Sequence, residues 1–203
     1  LLSGLGYKTA GNLHALEYSQ KGIEFGAVKY IQLVHIKNID DWSRAAIYDL
    51  TKYVDTDYCL LVHENGFVVN PEMWNDEWLN YDYVGAPWPM PSDDVSYKDT
   101  NGVIRRVGNS VSLRSKKLLD LPIKLNLPWQ SFHGFYNEDG FICVNNVHLY
   151  EAEGCKIAPL EVAKHFSREL DIPENDDVTK PFCFHYNKVI PGRNQEYYHL
   201  IHQ

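Results

Sequence analysis

The amino-acid sequence predicts a single α/β domain in which a central, mostly parallel sheet is flanked by helices. Segments 27–34, 39–54 and 57–62 alternate as strand, helix and strand with only a few residues between them, which is typical of the crossover connections in a parallel sheet. The chain has 203 residues, of which 44% are hydrophobic, so it can bury one substantial core. We therefore predict one domain over residues 1–203.

Each predicted element follows from its local pattern. The helix 39–54 has apolar residues at helical spacing, including Trp42 and Ala46, and acidic residues near its start. The run "YCLLV" in the strand 57–62 does not alternate with polar residues, which indicates burial on both faces. In the first half of the chain, the other predicted elements are a strand ending in "SGLGYK" (3–8), a helix over 9–21, a short helix beginning near Pro71, a strand over 82–87 and a hairpin around Asn101 and Gly102. In the second half they are a strand that enters a helix over 107–121, a helix over 137–154, a short strand and a short helix over 155–170, and a strand carrying His185 over 180–188. The last segment, 196–203, is either a terminal helix or a frayed tail.

Composition and charge disfavour some classes of function. The formal net charge is −8, which disfavours a general nucleic-acid binder, although a basic cluster over 105–117 could contact a small footprint. No apolar run approaches the roughly 20 residues of a membrane span, and no signal peptide is visible at the first residues. The 4 cysteines stand singly among apolar neighbours, so we expect buried thiols in a reducing, cytoplasmic environment.

A polar break follows the strand 57–62. The four residues "HENG" (63–66) lie directly after it, and ligands in open α/β sheets bind beyond the carboxyl ends of the strands. A tight turn that uses Asn65 and Gly66 explains the same residues. Spacing alone leaves both interpretations open.

Four segments of the chain, taken in order, resemble a known family. They are "LVHENGFVVNPEMWNDEWLNYDYVGAPW", "VGNSVSLRSKKLL", "NEDGFICVNN" and "IAPLEVAKHFSRE" with "KPFCFHYNK". Together they resemble the DUF5672 family, a domain of unknown function regarded as glycosyltransferase-like; "YDYVGAPW" and "SLRS" are the distinctive parts. The resemblance implies a GT-A-type, Rossmann-like sandwich, with a nucleotide-binding half over about 1–88 and an acceptor half over about 89–203.

The resemblance also implies a reaction and its site. The expected activity is transfer of a sugar from a nucleotide-diphosphate sugar to a hydroxyl group of a glycan or small molecule. The expected donor is a UDP-sugar, and the configuration at the anomeric carbon is expected to invert. Asp139 would be the catalytic base, with Glu138 beside it and a helix N-terminus lowering the pKa of the base. A divalent metal, Mn²⁺ or Mg²⁺, would be held by Glu64, Asn65 and His185. The implied donor-binding residues are Ser3, Gly4, Tyr7, Lys8, Glu64, Asn65, Gly66, Trp88, Asn109, Ser110 and Arg114.

Two departures from the family pattern keep rival interpretations open. Asn65 stands where the family has an aspartate, and the segment 108–112 reads G-N-S-V-S where the family has G-N-G-G-F-S. The bulk of Val111 would narrow the sugar pocket. A neutral Asn65 is a weaker metal ligand, which leaves altered metal use, metal independence or loss of catalysis as outcomes. The rivals are a non-catalytic nucleotide-sugar-binding module, a nucleotide-sugar hydrolase and a transferase acting on a modified nucleic-acid base.

Overall fold

The computed structural model describes residues 1–6, 8–130, 137–186 and 196–201. The strands are β1 (Leu2–Leu5), β2 (Val28–Ile31), β3 (Tyr58–Val62), β4 (Tyr83–Pro87), β5 (Val107–Ser115), β6 (Ser167–Arg168) and β7 (Cys183–Phe184). The α-helices are α1 (Thr9–Ser19), α2 (Ile39–Tyr48), α3 (Lys116–Lys124), α4 (Glu138–Gly140), α5 (Val147–Ala152), α6 (Leu160–Phe166) and α7 (Tyr198–Ile201).

The first five strands form one sheet in the order β2-β1-β3-β5-β4. Strand β1 is parallel to β2 and to β3, whereas β5 runs antiparallel to both β3 and β4. Four of these strands therefore point the same way and β5 alone is reversed, so the predicted mostly parallel α/β sheet is confirmed. Strands β6 and β7 form a separate parallel pair.

The apolar run of β3 is buried on both faces of the sheet, as its sequence predicts. Leu60 and Val62 pack into one hydrophobic cluster, together with residues of α1. Cys59 and Leu61 point the other way, into a second cluster that contains residues of α2. Because successive side chains leave a strand in opposite directions, each face of β3 needs its own apolar set.

Helix α2 ends earlier than the sequence predicts. It begins after Asn38, whose side chain accepts a hydrogen bond from the backbone N–H of Asp41 at 2.9 Å, the usual cap of a helix start. It ends at Tyr48, and a separate 3₁₀ turn covers Leu50–Tyr53. The predicted single helix over 39–54 is therefore two elements.

The segment 137–154 is also more broken than predicted. Helix α4 has only 3 residues, a π-helical turn covers Phe141–Asn145, and α5 follows it. The side chain of Asn146 donates to the carbonyl of Phe141 at 3.0 Å, which holds the wider turn in place of regular helix. The predicted continuous helix over 137–154 is wrong.

Two further predictions need correction. Strand β7 ends at Phe184, so His185 lies just beyond the strand. Between β4 and β5 the predicted hairpin is reduced to an isolated bridge between Lys98 and Ile104. The loop instead wraps around Asp99, whose carboxylate accepts from two backbone N–H groups and from Arg105.

Two expectations drawn from composition are met within the described part of the chain. It contains no helix with both the length and the apolar character needed to cross a membrane. The 4 cysteines are buried and unbridged, which agrees with their interpretation as small core residues.

Candidate functional site

A cavity of about 240 Å³ opens at the carboxyl ends of β1 and β3. The chain leaves β1 for β2 on one side and reaches β3 on the other, so this is the point at which strand order reverses, the usual position of a ligand crevice in an open α/β sheet. The lining residues are Leu5, Gly6, Lys8, Asn12, Ile39, Trp42, His63, Glu64, Asn65, Ser110, Asn137, Glu138, Asp139, Glu169 and His185.

The segment "HENG" is both a tight turn and a wall of the cavity. The backbone N–H of His63 donates to the carbonyl of Gly66 at 3.0 Å, and the reverse bond measures 2.9 Å. A Cβ atom on Gly66 would lie 2.5 Å from the Val111 side chain and 2.6 Å from the Phe184 carbonyl. Gly66 is therefore required for close packing and does not line the cavity, whereas Glu64 and Asn65 do.

Glu64 is engaged by two neighbours. Its carboxylate accepts from the Lys8 ammonium group at 2.7 Å and from the Asn65 side-chain amide at 3.4 Å. Both donors contact the same oxygen, Oε1, of the carboxylate that the family resemblance assigns to a metal. Among the described residues, no group of three or more His, Cys, Asp and Glu side chains is arranged to hold a metal ion. The metal site that the resemblance implies at Glu64, Asn65 and His185 stays a prediction.

His63 and Ser110 form a hydrogen bond across the cavity wall. Nδ1 of His63 accepts from the backbone N–H of Asn65 at 3.2 Å, so its Nε2 carries the proton and donates to Ser110 Oγ at 2.8 Å. In this tautomer His63 cannot remove the proton of Ser110. The pair therefore orients the serine hydroxyl and is not an activated nucleophile.

His185 contacts a carboxylate that sequence reasoning did not select. Its Nδ1 lies 3.3 Å from Oε1 of Glu169, and its ring meets that of His63 edge-on, with centroids 4.9 Å apart. Burial opposes the charged imidazolium, but the hydrogen bond and the charge of Glu169 outweigh it, so the pKa of His185 is raised. His185 lines the cavity, and its predicted role as a metal ligand stays a prediction.

Asp139 is half-buried on the cavity wall, and its pKa is raised. Burial, followed by repulsion from Glu138 and Glu169, raises its pKa to about 7. Backbone N–H groups of Asn109 and Gly140 donate to its two oxygens at 3.0 and 2.8 Å and only partly offset this effect. The expected lowering of the pKa by a helix N-terminus is wrong, because α4 is too short to have a substantial dipole.

The neighbouring Glu138 has a different role from Asp139. Its side chain is 1% exposed, and Oε1 accepts from the Arg114 guanidinium at 2.9 Å. Arg114 is itself fully buried, donates to Ser112 Oγ at 2.8 Å and faces the Tyr83 ring. Arg114 is therefore absent from the cavity wall, contrary to its expected contact with the donor, and the pair fixes the turn that presents Asp139.

Several other predicted donor-binding residues do not line the cavity. Ser3 and Gly4 lie within β1. Trp88 is buried, stacks on Tyr97 with ring centroids 4.8 Å apart and covers Gly108. The position expected for Tyr7 lies outside the described residues.

Asn109 contributes its backbone rather than its side chain to the site. Its N–H donates to Asp139, whereas its buried side chain accepts from the backbone N–H of Val111 at 2.8 Å. Its φ of 101° lies in the region that favours glycine. Backbone strain of this kind persists only where surrounding contacts fix it, and here it aims an N–H at the carboxylate of Asp139.

The remaining cavity residues were not selected from the sequence. Trp42 donates from its indole to the carbonyl of Leu5 at 2.6 Å, at the end of β1. His63 and Glu169 lie inside the quoted motifs "HENG" and "HFSRE", so their position was visible. Their pairing with Ser110 and His185 was not, since it joins segments about 16 to 47 positions apart in the sequence.

The basic cluster over 105–117 does not form an open patch. Each side chain has a partner: Arg105 contacts Asp99 and Glu151, Arg106 contacts Glu174, Arg114 contacts Glu138, Lys116 contacts Asp120, and Lys117 donates to the carbonyl of Gly154. Pairing of this kind removes the positive field on which a nucleic-acid footprint depends. The modified-base interpretation therefore has no support from this cluster.

The fold and the cavity define a mixed α/β protein with a cavity of mostly polar lining at the carboxyl ends of parallel strands. The chain belongs to the DUF5672 family, described as proteins of unknown function, whose family model matches residues 29–185. The resemblance to DUF5672 inferred from sequence is confirmed, but the family description supplies no activity. No curated protein matches the chain.

Proposed function

We propose that this protein is a glycosyltransferase with a GT-A-type fold, which transfers a sugar from a nucleotide-diphosphate sugar to a hydroxyl acceptor with inversion. The observation that carries the proposal is Asp139, a carboxylate on the cavity wall with a pKa raised to about 7. A general base works best when its pKa is near the working pH. The position of the cavity at the reversal of strand order supports a nucleotide ligand.

Asp139 would act on the acceptor hydroxyl. As the acceptor oxygen bonds to the anomeric carbon, the bond from that carbon to the diphosphate breaks and the nucleoside diphosphate leaves with the electron pair. The hydroxyl proton passes to Asp139. The Ser110 hydroxyl, oriented by His63, and the amide of Asn65 would bind ligand hydroxyl groups.

A donor panel tests the proposal. UDP-, GDP- and other nucleotide sugars are incubated with the protein and candidate sugar acceptors, and release of nucleoside diphosphate and formation of the glycoside are measured. We expect one donor to react and Asp139→Asn to remove transfer while nucleotide binding stays within about twofold. Asp94→Asn, at an exposed position away from the cavity, is the matched control.

The rival functions give different results in the same panel. Nucleotide-sugar binding without turnover in any acceptor screen would identify a binding module. Free sugar released at a rate that no acceptor changes would identify a hydrolase. Full activity of Asp139→Asn would reject Asp139 as the base.

A further inference from the structure

We propose that the cavity binds the diphosphate of its ligand through the Lys8 ammonium group and the N-terminus of α1, without a divalent metal. This inference rests on the proposed function and concerns how the anionic part of the donor is held. It departs from the metal site that the family resemblance implies.

The first support is the position of Lys8. Lys8 precedes α1 directly and lines the cavity, where its Nζ lies 2.7 Å from Oε1 of Glu64. The Lys8 side chain is 46% exposed and the Glu64 side chain 20% exposed, so a ligand entering the cavity can reach both side chains. A phosphate oxygen that takes the place of the Glu64 carboxylate would keep Lys8 paired throughout binding.

The second support is the N-terminus of α1, a helix of 11 residues. Its first turn contains no acidic residue, and no side chain caps it from the Lys8 position. The N–H groups of a helix start bind anions. A Cβ atom on Gly11 would lie 2.4 Å from Cβ of Glu64, so the glycine lets this first turn approach the end of β3 closely.

The third support is a buried polar atom at the same place. Asn12 is 1% exposed and lines the cavity. Its side-chain amide donates to the carbonyl of Lys8 at 2.9 Å, while its Oδ1 has no hydrogen-bond partner among the described residues. A buried acceptor without a partner costs free energy, and a hydroxyl group of a bound ribose or sugar would satisfy it.

The side chains assigned to a metal are held in other contacts. Glu64 is neutralised by Lys8, Asn65 is uncharged and turns its amide toward Glu64, and His185 is held by Glu169. A divalent cation prefers several oxygen ligands, usually carboxylates shared with substrate phosphates. To bind Oε1 of Glu64, the cation would have to displace the Lys8 ammonium group.

The test is calorimetric titration of UDP, and of inorganic pyrophosphate as the bare anion, into the 203-residue chain at low salt. Each titration is run with EDTA and with Mn²⁺. We expect the two conditions to give affinities within about twofold, and we expect binding to weaken with added salt, as for a site built on fixed positive charge.

Three variants separate a lysine site from a metal site. Lys8→Met should weaken UDP binding by about 10- to 100-fold, the range for loss of a charge-assisted hydrogen bond, and Lys8→Arg should restore part of it. Glu64→Gln should bind UDP as tightly as wild type or more tightly, because it removes a carboxylate that competes for Lys8. A metal site predicts the opposite for Glu64→Gln.

Lys124→Met is the matched control, because Lys124 also pairs with a glutamate, Glu153, at 2.6 Å but lies away from the cavity. Binding that requires Mn²⁺, weaker binding by Glu64→Gln, unchanged binding by Lys8→Met, or failure of UDP and pyrophosphate to bind at all would each overturn the inference. Turnover in the donor panel that depends on Mn²⁺ would leave the proposed transferase intact and reject only this site.

Discussion

Two walls of one cavity present a carboxylate in opposite electrostatic settings. Glu64, at the end of β3, has the Lys8 ammonium group at 2.7 Å. Asp139, in α4, lies near the carboxylates of Glu138 and Glu169 as well as His185, and its pKa is raised to about 7. The first wall suits an anionic ligand, and the second suits a group that exchanges a proton near neutral pH.

The difference arises from how each wall is supported. The Glu64 wall is attached to α1, a helix of 11 residues with its positive end at the cavity. The Asp139 wall has only 3 helical residues, and a fully buried ion pair between Arg114 and Glu138 holds it in place. Changes at the two walls should therefore affect different properties, binding in one case and turnover in the other.

The largest expected effect is on turnover at the Asp139 wall. Asp139→Asn removes the proton acceptor and should lower the transfer rate by about 10²- to 10⁴-fold, the usual contribution of a general base. Lys8→Met, at the other wall, should mainly raise the apparent Kd for nucleotide. Steady-state kinetics of both variants against one donor measure this separation, and a matching loss of turnover in both would show that the walls do not act independently.

The next effect is on stability. Arg114→Met leaves Glu138 buried without its cation, and breaking such a pair costs about 3–5 kcal/mol. Urea unfolding of Arg114→Met and of the double variant Arg114→Met/Glu138→Gln measures this cost, and the double variant should recover much of it. Lys124→Met, which breaks an exposed pair, should cost less than about 1 kcal/mol. Equal losses in the buried and exposed pairs would refute the assigned role of Arg114.

The third effect is a pH dependence that distinguishes the walls. The base must be ionised to act, and the pKa of Asp139 is raised to about 7, so kcat/KM should rise with pH through neutrality. From pH 6 to pH 8 the ionised fraction grows by roughly tenfold for such a pKa. A kcat/KM profile that is flat between pH 5 and pH 8 would show that the base has an ordinary carboxyl pKa.

The raised pKa of Asp139 should also make the free energy of unfolding depend on pH. Stability should fall as pH rises, whereas kcat/KM should increase. The folded state holds the Asp139 proton up to about pH 7, whereas the unfolded chain loses it near its ordinary value of roughly 3.9. Wild type should therefore lose stability relative to Asp139→Asn as pH rises between these values, and the difference should level off above pH 7. Thermal unfolding of both proteins at pH 5 and pH 8 measures it; an unchanged difference would contradict the shifted pKa.

The sequence predicts the sheet better than the site, for a physical reason. The apolar run of β3 and the periodicity of α2 reflect burial of their side chains. Because burial leaves a local pattern in the sequence, both elements could be predicted. Glu64, Asn65, Ser110, Asp139 and His185 all line the cavity, and all five were named as site residues from the motifs. What could not be predicted is pairing between distant segments, such as Lys8 with Glu64 or Arg114 with Glu138, because a local pattern holds no information about which charge meets which.

The smallest expected effect concerns the backbone at Asn109. Alanine there must adopt the same positive φ of 101° and also leaves the buried N–H of Val111 without its acceptor, so Asn109→Ala should lose about 2 kcal/mol. Asn109→Gly loses the same acceptor but fits the backbone without strain, so it should lose about 1 kcal/mol.

The N–H of Asn109 donates to Asp139, and a strained backbone in the alanine variant would weaken that bond. The pH midpoint of activity should therefore move upward in Asn109→Ala and stay near the wild-type value in Asn109→Gly. Urea unfolding and pH–rate profiles of the two variants measure both effects, and identical midpoints with identical stabilities would show that the strained backbone does not position the base.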